Sequence, residues 1–491
     1  MQSVEFEGYW WPPGEHENRV GGVLSYEPES GATLNLFESF ESGVLLTRER
    51  EHEAHSRLYG LSKEGDLLTL VDSHRDGFSS TQTVAGNVSY STYQPRYVLD
   101  GIHVPQNKNI SFTRLTTSFP GIEEWTQHIP SSDVDGVPGR TVEIVVDNPD
   151  PIEAKTVEYT LTLSSSFKTS RSRGETPSVP NETRFHLYPK HPAITLSRLR
   201  DYIYSLRGLL TIATNHPIEP RYVQARTPDS GFTTIDVYYG NPSFGQPGSP
   251  GITNLNFRLP DIPNGFSGLI ERWFGLRQDT KSAIDLFLGT QYNPNMYREN
   301  IFLSLTQAIE SYHRRRYQDE YMDSQKYESG VYPDVMDFIR GDLNDVYDDP
   351  SMFHGNSLSQ SQVQQLKTMS DAHDIPNDLG NVLDSAIKYA NEYSLRKRFK
   401  ELVNDEFHSI LTGLPHSAVG QIHPIVETRN HHTHQLKGEQ KDPAIAEGAD
   451  LTRLTWSLEQ LLEVAFLAEI GVSESQIRNT LYDRYKQYRV L

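Results

Sequence analysis

LTWSLEQLLEVAF, residues 454–466, decides half of the fold. Leu454, Leu458, Leu461 and Ala465 recur at intervals of three and four, and Leu462 and Phe466 widen the row. At 3.6 residues per turn those positions share one face, so the stretch reads as an amphipathic helix packed on a core. KTVEYTLTL at 155–163 follows the other rule, with alternating apolar and β-branched residues that suit a strand covered on one side. The helical period extends through the last third of the chain. In 297–316 it is carried by Ile301, Leu305, Ala308 and Tyr312, joined by Phe302 and Ile309, and further helices are predicted at 332–345, 358–371, 377–392, 394–411, 450–469 and 474–487. Toward the N-terminus the runs are short and bounded by turn residues: GGVLSY (21–26), ATLNLF (32–37), DLLTLV (66–71) and TVEIVV (141–146).

Glycine and proline divide the same way. Residues 1–290 hold 25 Gly and 22 Pro, and 291–491 hold 9 and 7. The expected architecture is α+β and multidomain: a β-rich N-terminal domain, sandwich or barrel-like, over 1–265, then a helical linker over 266–295, then an all-α bundle over 296–491. One helix at 196–213, with Leu199, Ile203, Leu206 and Leu210 at helical spacing, is expected on the N-terminal sheet. FKTSRSRGETPSVPNET (167–183) and YYGNPSFGQPGSPG (238–251) read as loops. The aromatics of GYWWPP (8–13) suit a packed edge or a ligand platform.

Composition excludes several function classes. With 45 Lys and Arg against 65 Asp and Glu in 491 residues, the formal charge is −20, which argues against bulk adhesion to nucleic acid or anionic lipid. There are no cysteines, so disulfides, thiolate metal sites and cysteine nucleophiles are absent. The start, MQSVEFEGYWW, lacks the basic and apolar regions of a secretion signal. No apolar run reaches the roughly 18 residues of a membrane span. A soluble, cytoplasmic protein with no membrane partner is expected.

The densest reactive cluster is QIHPIVETRNHHTH (421–434), which gathers four of the 18 histidines beside Arg429. Three readings stand beside one another. The segment is a solvated helix start, a metal site using His431, His432 and His434, or a metal-free RNA-cleaving site. For a metal the spacing departs from HExxH and an acidic third ligand is not evident. For RNA, the 2′-OH is a built-in nucleophile, so an enzyme needs a group that titrates near neutrality and a cation for the phosphorane. His434 and Arg429 supply these. Five residues along a helix separate two positions by about 140° and about 7.5 Å, so Arg429 and His434 can flank one phosphate. Asn430 lies four residues before His434, on its face of the helix.

RNHHTH (429–434), an Arg, a polar residue, three more and a His in a helical region, resembles the R-polar-xxx-H motif of HEPN domains. FLSLTQAIESYHRRRY (302–317) resembles the first helix of the HEPN domains of the ApeA family of bacterial anti-phage proteins, and a β-rich region before a C-terminal HEPN domain is that family's order. The resemblance implies a metal-independent endoribonuclease of abortive-infection type, acting on tRNA or another structured cellular RNA without cofactor and leaving 2′,3′-cyclic phosphate and 5′-OH ends; its rival is a catalytically inactive HEPN-type module for RNA or nucleotide binding or for assembly. The resemblance also implies pairing of two HEPN domains as a homodimer or higher oligomer, with His434 as general acid/base, Arg429 as phosphate ligand and Asn430 as the polar second position. Glu310 matches the family's first-helix acid and would position Arg429; as a helix-surface carboxylate it equally suits a pair with Arg314. By analogy the N-terminal region senses infection, through a phage-derived trigger, or restrains the nuclease.

An acidic protein must hold RNA with local cations. Residues 291–491 carry 20 Lys and Arg against 30 Asp and Glu. The exceptions are Arg314, Arg315 and Arg316, and the run Arg396, Lys397, Arg398 and Lys400; each cluster suits either an RNA backbone or a solvated face.

Overall fold

The computed structural model describes residues 1–40, 54–83, 86–127, 131–137, 141–167, 181–190, 193–228, 233–240, 255–336, 385–434 and 443–488. Most of the expected loops at 167–183 and 238–251 lie outside these residues, as does the helix predicted at 358–371, and those at 332–345 and 377–392 lie partly outside them.

The N-terminal strands are β1 (Val4–Trp11), β2 (Val20–Glu27), β3 (Gly31–Leu36), β4 (Ala54–Ser62), β5 (Leu67–Thr83) and β6 (Gly86–Asp100). They pair in the cyclic order β6-β3-β2-β1-β4-β5, and β5 returns to β6, so six antiparallel strands close into a barrel. Closure leaves these strands no free edge among themselves. The interior is filled by Phe6, Trp10, Leu24, Tyr26, Leu34, Leu58, Leu70 and Tyr93, and of the GYWWPP aromatics Trp10 is fully buried and Trp11 5% exposed, whereas Tyr9 is 53% exposed. Trp10 Nε1 donates to the Gly22 carbonyl at 3.2 Å, which satisfies its one polar atom. A Cβ on Gly60 would overlap the Trp10 ring, so the strand opposite the indole has to be bare there. Gly60→Ala is expected to cost about 1–3 kcal/mol by overpacking, read as a lower urea midpoint at unchanged slope.

Strand β6 belongs to two sheets. Ser91–Tyr93 pair with β3 and close the barrel, whereas Tyr97–Asp100 pair with β16 (Ile235–Tyr239). From there the sheet runs through β15 (Tyr222–Arg226), β8 (Arg114–Ser118), β13 (Asn181–Pro189) and β12 (Tyr159–Phe167) to β11 (Ile152–Lys155). Short strands β7 (Ser111–Phe112) and β14 (Ile194–Thr195) pair with each other, as do β9 (Ser131–Val137) and β10 (Thr141–Asp147). Alternation gives the large sheet an apolar face of Leu115, Leu161, Leu163, Phe185, Leu187, Val223 and Val237. After α1 (Ile122–Thr126), helix α2 (Leu196–Thr214) joins this core through Leu199, Ile203, Leu206 and Leu210. The Thr195 hydroxyl caps its N-terminus, and Asn215 at φ 51° ends it in the left-handed conformation that asparagine tolerates.

The stretch 266–295 is helical, as α3 (Gly265–Asp279) and α4 (Lys281–Tyr292), and it is built into the core. Trp273 of α3 is fully buried and donates to the Ser205 carbonyl of α2 at 2.9 Å, and Phe266 stacks on Phe185 of β13. The helical region follows with α5 (Arg298–Arg316), α6 (Ser324–Lys326), α7 (Leu395–Lys400), α8 (His408–Leu411), α9 (Ile422–His434), α10 (Gly448–Glu469) and α11 (Glu474–Tyr485). Leu454, Leu458, Leu461, Leu462, Ala465 and Phe466 are all at most 4% exposed, as their period requires. One apolar cluster runs from the large sheet through α2, α3 and α4 into α5, α9 and α10, so the two regions share a core.

Candidate active site

Helices α5, α7 and α9 pack against one another in every pairing. Helix α9 begins just after Gly420, at φ 79°, and has Pro424 in its first turn, where a missing N–H leaves no bond unmade. Ile425 and Thr428 are fully buried and anchor the helix, and the Thr428 hydroxyl accepts from the Ala446 amide at 2.9 Å. Arg429 and Asn430 come next, partly exposed beside this anchored stripe. His434 is the last residue of the helix, and its side chain lies outside the described set.

Arg429 is 29% exposed and lightly held. Its Nη2 is 3.8 Å from Glu310 Oε2, and its Nη1 is 3.4 Å from Asn430 Oδ1. The fold thus brings together Glu310 of α5 and Arg429 of α9. Glu310 itself is fixed from the other side, because its Oε1 accepts from Arg398 Nη1 at 2.6 Å. Arg398 is the centre of the arrangement. Its side chain is 3% exposed, and its Nε and Nη2 grip Asp319 in a two-point fork at 2.5 and 2.8 Å. Burial works against its charge, but the hydrogen bond to Asp319 and the charges of Asp319, Glu310 and Glu392 outweigh that and raise its pKa. The guanidinium is therefore permanently charged and turned inward, away from solvent.

The other cations divide into engaged and free. Arg314 pairs with Glu392 at 2.9 Å, Asp319 at 3.1 Å and Glu310 at 3.6 Å. Arg396 meets Glu427 of α9 at 2.8 Å, and Arg316 meets Glu469 at 2.6 Å. Lys397 sits 3.4 Å from the Tyr393 ring centroid and 4.4 Å from that of Tyr321, a cation–π seat. Arg315 and Lys400 are exposed with no ion pair among the described residues.

The family comparisons assign the two regions separately. The model for ApeA N-terminal domain 1 matches residues 5–273, and the model for the Apea-like HEPN domain matches residues 303–476. The chain belongs to the ApeA family. No curated protein and no solved structure matches it. ApeA-family proteins with this domain pair are anti-phage HEPN nucleases, and HEPN domains are in general ribonucleases that commonly dimerise and bind RNA. The N-terminal match ends inside α3, in accord with Trp273 and Phe266 packing on the β-rich region. The HEPN match spans α5 to the start of α11 and so contains every residue of the candidate site. No helix among the described residues is long and apolar enough to cross a membrane.

Sequence reasoning missed the carboxylates that organise the candidate site. Asp319 lies outside the predicted helices, Glu392 ends the one predicted at 377–392 but sits in a bridge with Glu320 instead, and nothing local marks either carboxylate. It also missed His313, which is fully buried with Nε2 2.8 Å from Glu401 Oε2 and Nδ1 3.6 Å from Asp319 Oδ1. The signal for His313 was available: it directly follows Tyr312 on the buried side of α5. His431 and His432 lie side by side with ring centroids 5.5 Å apart, and His432 faces Phe302.

Proposed function

We propose that this protein is a metal-independent endoribonuclease of abortive-infection type that cuts cellular RNA by internal 2′-OH attack. His434 moves the protons, Arg429 binds the scissile phosphate and its growing charge, Asn430 supports the pair, and Glu310 orients Arg429. The observation that carries this reading is the contrast between two arginines. Arg398 spends its donors on Asp319 and Glu310 and is buried, whereas Arg429 has, among the described residues, one distant carboxylate at 3.8 Å and stays partly open. A guanidinium held loosely by a fixed carboxylate is pre-aimed yet free to take a phosphate bidentately.

Arg315, Lys400, Arg396 and Lys397 would guide the RNA backbone, while Arg314 and Arg398 shape the carboxylate frame. Pairing of two copies through the HEPN regions would set two such motifs around one cleft. The region of residues 1–265 would sense the infection signal, with the shared core around α3 and α4 as the route to the nuclease.

The test is incubation of the purified protein with total bacterial RNA in EDTA, followed by mapping of the ends. Cleavage is expected to persist in chelator and to leave 2′,3′-cyclic phosphate and 5′-OH ends. Loss of cleavage in EDTA with recovery on adding a divalent metal would replace this mechanism by metal-activated water. RNA retention without new ends, including in extract from phage-infected cells, would make the protein a binding module.

A further inference from the structure

Away from the α5–α7–α9 site, a cavity of about 510 Å³ opens where the β-rich and helical regions meet, between Asn215 after α2, Gln291 of α4, helix α10 and helix α11. Its size is that of a small-molecule pocket. Trp456 of α10 and Tyr488 beyond α11 form an aromatic wall, with ring centroids 5.2 Å apart and planes tilted by 56°. Glu459 and Glu463 of α10 and Arg484 and Tyr485 of α11 line the rest.

The polar groups of this cavity are unevenly served. Glu463 is partnered on both oxygens: it accepts from Arg484 Nη1 at 2.5 Å and from the Tyr485 hydroxyl at 3.1 Å. Arg484 is engaged on a second side too, because it also donates to Asn256 Oδ1. Glu459 has no hydrogen bond or ion pair among the described residues, and neither do the side-chain amides of Asn215 and Gln291. Burial, and then the neighbouring Glu463 charge, push the Glu459 carboxyl up to about 8, with Arg484 opposing too weakly to prevent it. Charged or titratable neighbours around Glu459 are Glu463 on its own helix and Arg484, Tyr485 and Tyr488 on the facing one; Asn215 and Gln291 on the third side are neutral. The cavity therefore holds a carboxyl that lacks a counter-ion.

We propose that this cavity binds a small organic cation, an alkyl di- or polyamine, with one ammonium on Glu459, its methylenes against Trp456 and Tyr488, and its second ammonium on the amide oxygens of Asn215 and Gln291. The lining selects this chemistry over the alternatives. A phosphate-bearing ligand would meet Glu459 and Glu463 beside the one cation of the lining, Arg484, which is already paired with Glu463. A divalent metal wants about six oxygen ligands, and the cavity offers one free carboxylate. A nucleobase wants parallel faces, and the tilted Trp456–Tyr488 pair provides no slot. An ammonium gains both a carboxylate and aromatic faces.

The experiment is calorimetric titration of the full-length protein with spermidine and with putrescine at pH 7 and pH 9, each in two buffers of different ionisation heat, with AMP as the anionic probe. Saturable amine binding with close to one proton released per site at pH 7 and almost none at pH 9 is expected, because the ammonium ionises a protonated Glu459. Affinity should rise roughly tenfold per pH unit below about pH 8 and then level. Glu459→Gln, which mimics the protonated side chain and so keeps the fold, should lose the proton release and at least about tenfold in affinity. Tyr488→Ala, at a 37% exposed position, should weaken binding without unfolding. Absence of saturable amine binding, equal binding by Glu459→Gln, or competition by AMP would each overturn the proposal.

Discussion

His434→Ala is expected to remove RNA cleavage almost entirely, by about 10²–10⁴-fold in turnover, the range over which a positioned proton-transfer group acts. The fold should survive, because His434 is the final residue of α9 and its loss leaves the buried anchor of Ile425 and Thr428 untouched. Circular dichroism and the unfolding midpoint should match the wild type. RNA affinity should change little, so the effect falls on turnover. Arg429→Ala should cost about 10²–10³-fold by removing the phosphate ligand, and the double variant should be hardly worse than either single one, since groups that act as a unit are not additive. Unchanged cleavage by His434→Ala would end the assignment of this motif as the active site.

Arg398→Ala is expected to have the largest effect on stability, about 3–5 kcal/mol in urea unfolding. Removing one partner of a buried ion pair leaves the others charged and unsatisfied. Here Glu310, Asp319 and Glu392 gather around a side chain that is 3% exposed, and without it they are left to share the more exposed Arg314. Arg398→Lys should fail to restore stability, because an ammonium cannot make the two-point fork to Asp319. Lys400→Ala, two residues on and exposed, should stay within about 0.5 kcal/mol of wild type. Under conditions where Arg398→Ala remains folded it should also lower cleavage, since Glu310 then loses its 2.6 Å anchor and keeps only the longer 3.6 Å contact with Arg314 among the described residues. Full activity in a folded Arg398→Ala protein would uncouple the carboxylate frame from the site.

Local pattern alone located the helices whose stripes are long. In 297–316 and 454–466 the positions named from spacing are those that the core buries, among them Leu305, Ala308, Leu458 and Leu461, except Ile301, which is partly buried at its margin. The motif that joins Arg429 to His434 was legible for the same reason, since both ends lie on one helix and helical geometry fixes their separation. The basic clusters were not legible in the same way. Arg396, Lys397, Arg398 and Lys400 look alike in sequence, but one turns inward, one caps an aromatic pair and one meets Glu427, because α7 rotates each toward a different neighbour.

What the sequence determined by itself was periodic and local: a strand-rich first part, a helical second part, and an Arg-to-His spacing on one helix. Tertiary structure alone decided the rest. Strand β6 closes a barrel with β3 and opens a second sheet with β16, a choice between partners far apart in the chain that no single strand encodes. Glu310, Asp319 and Glu392 converge on Arg398 from up to 88 positions away, and Glu459 has no ion pair among the described residues while α11 delivers Arg484 to Glu463. A charge's role is set by which opposite charge reaches it first in a low-dielectric interior, and that is a property of the assembled core.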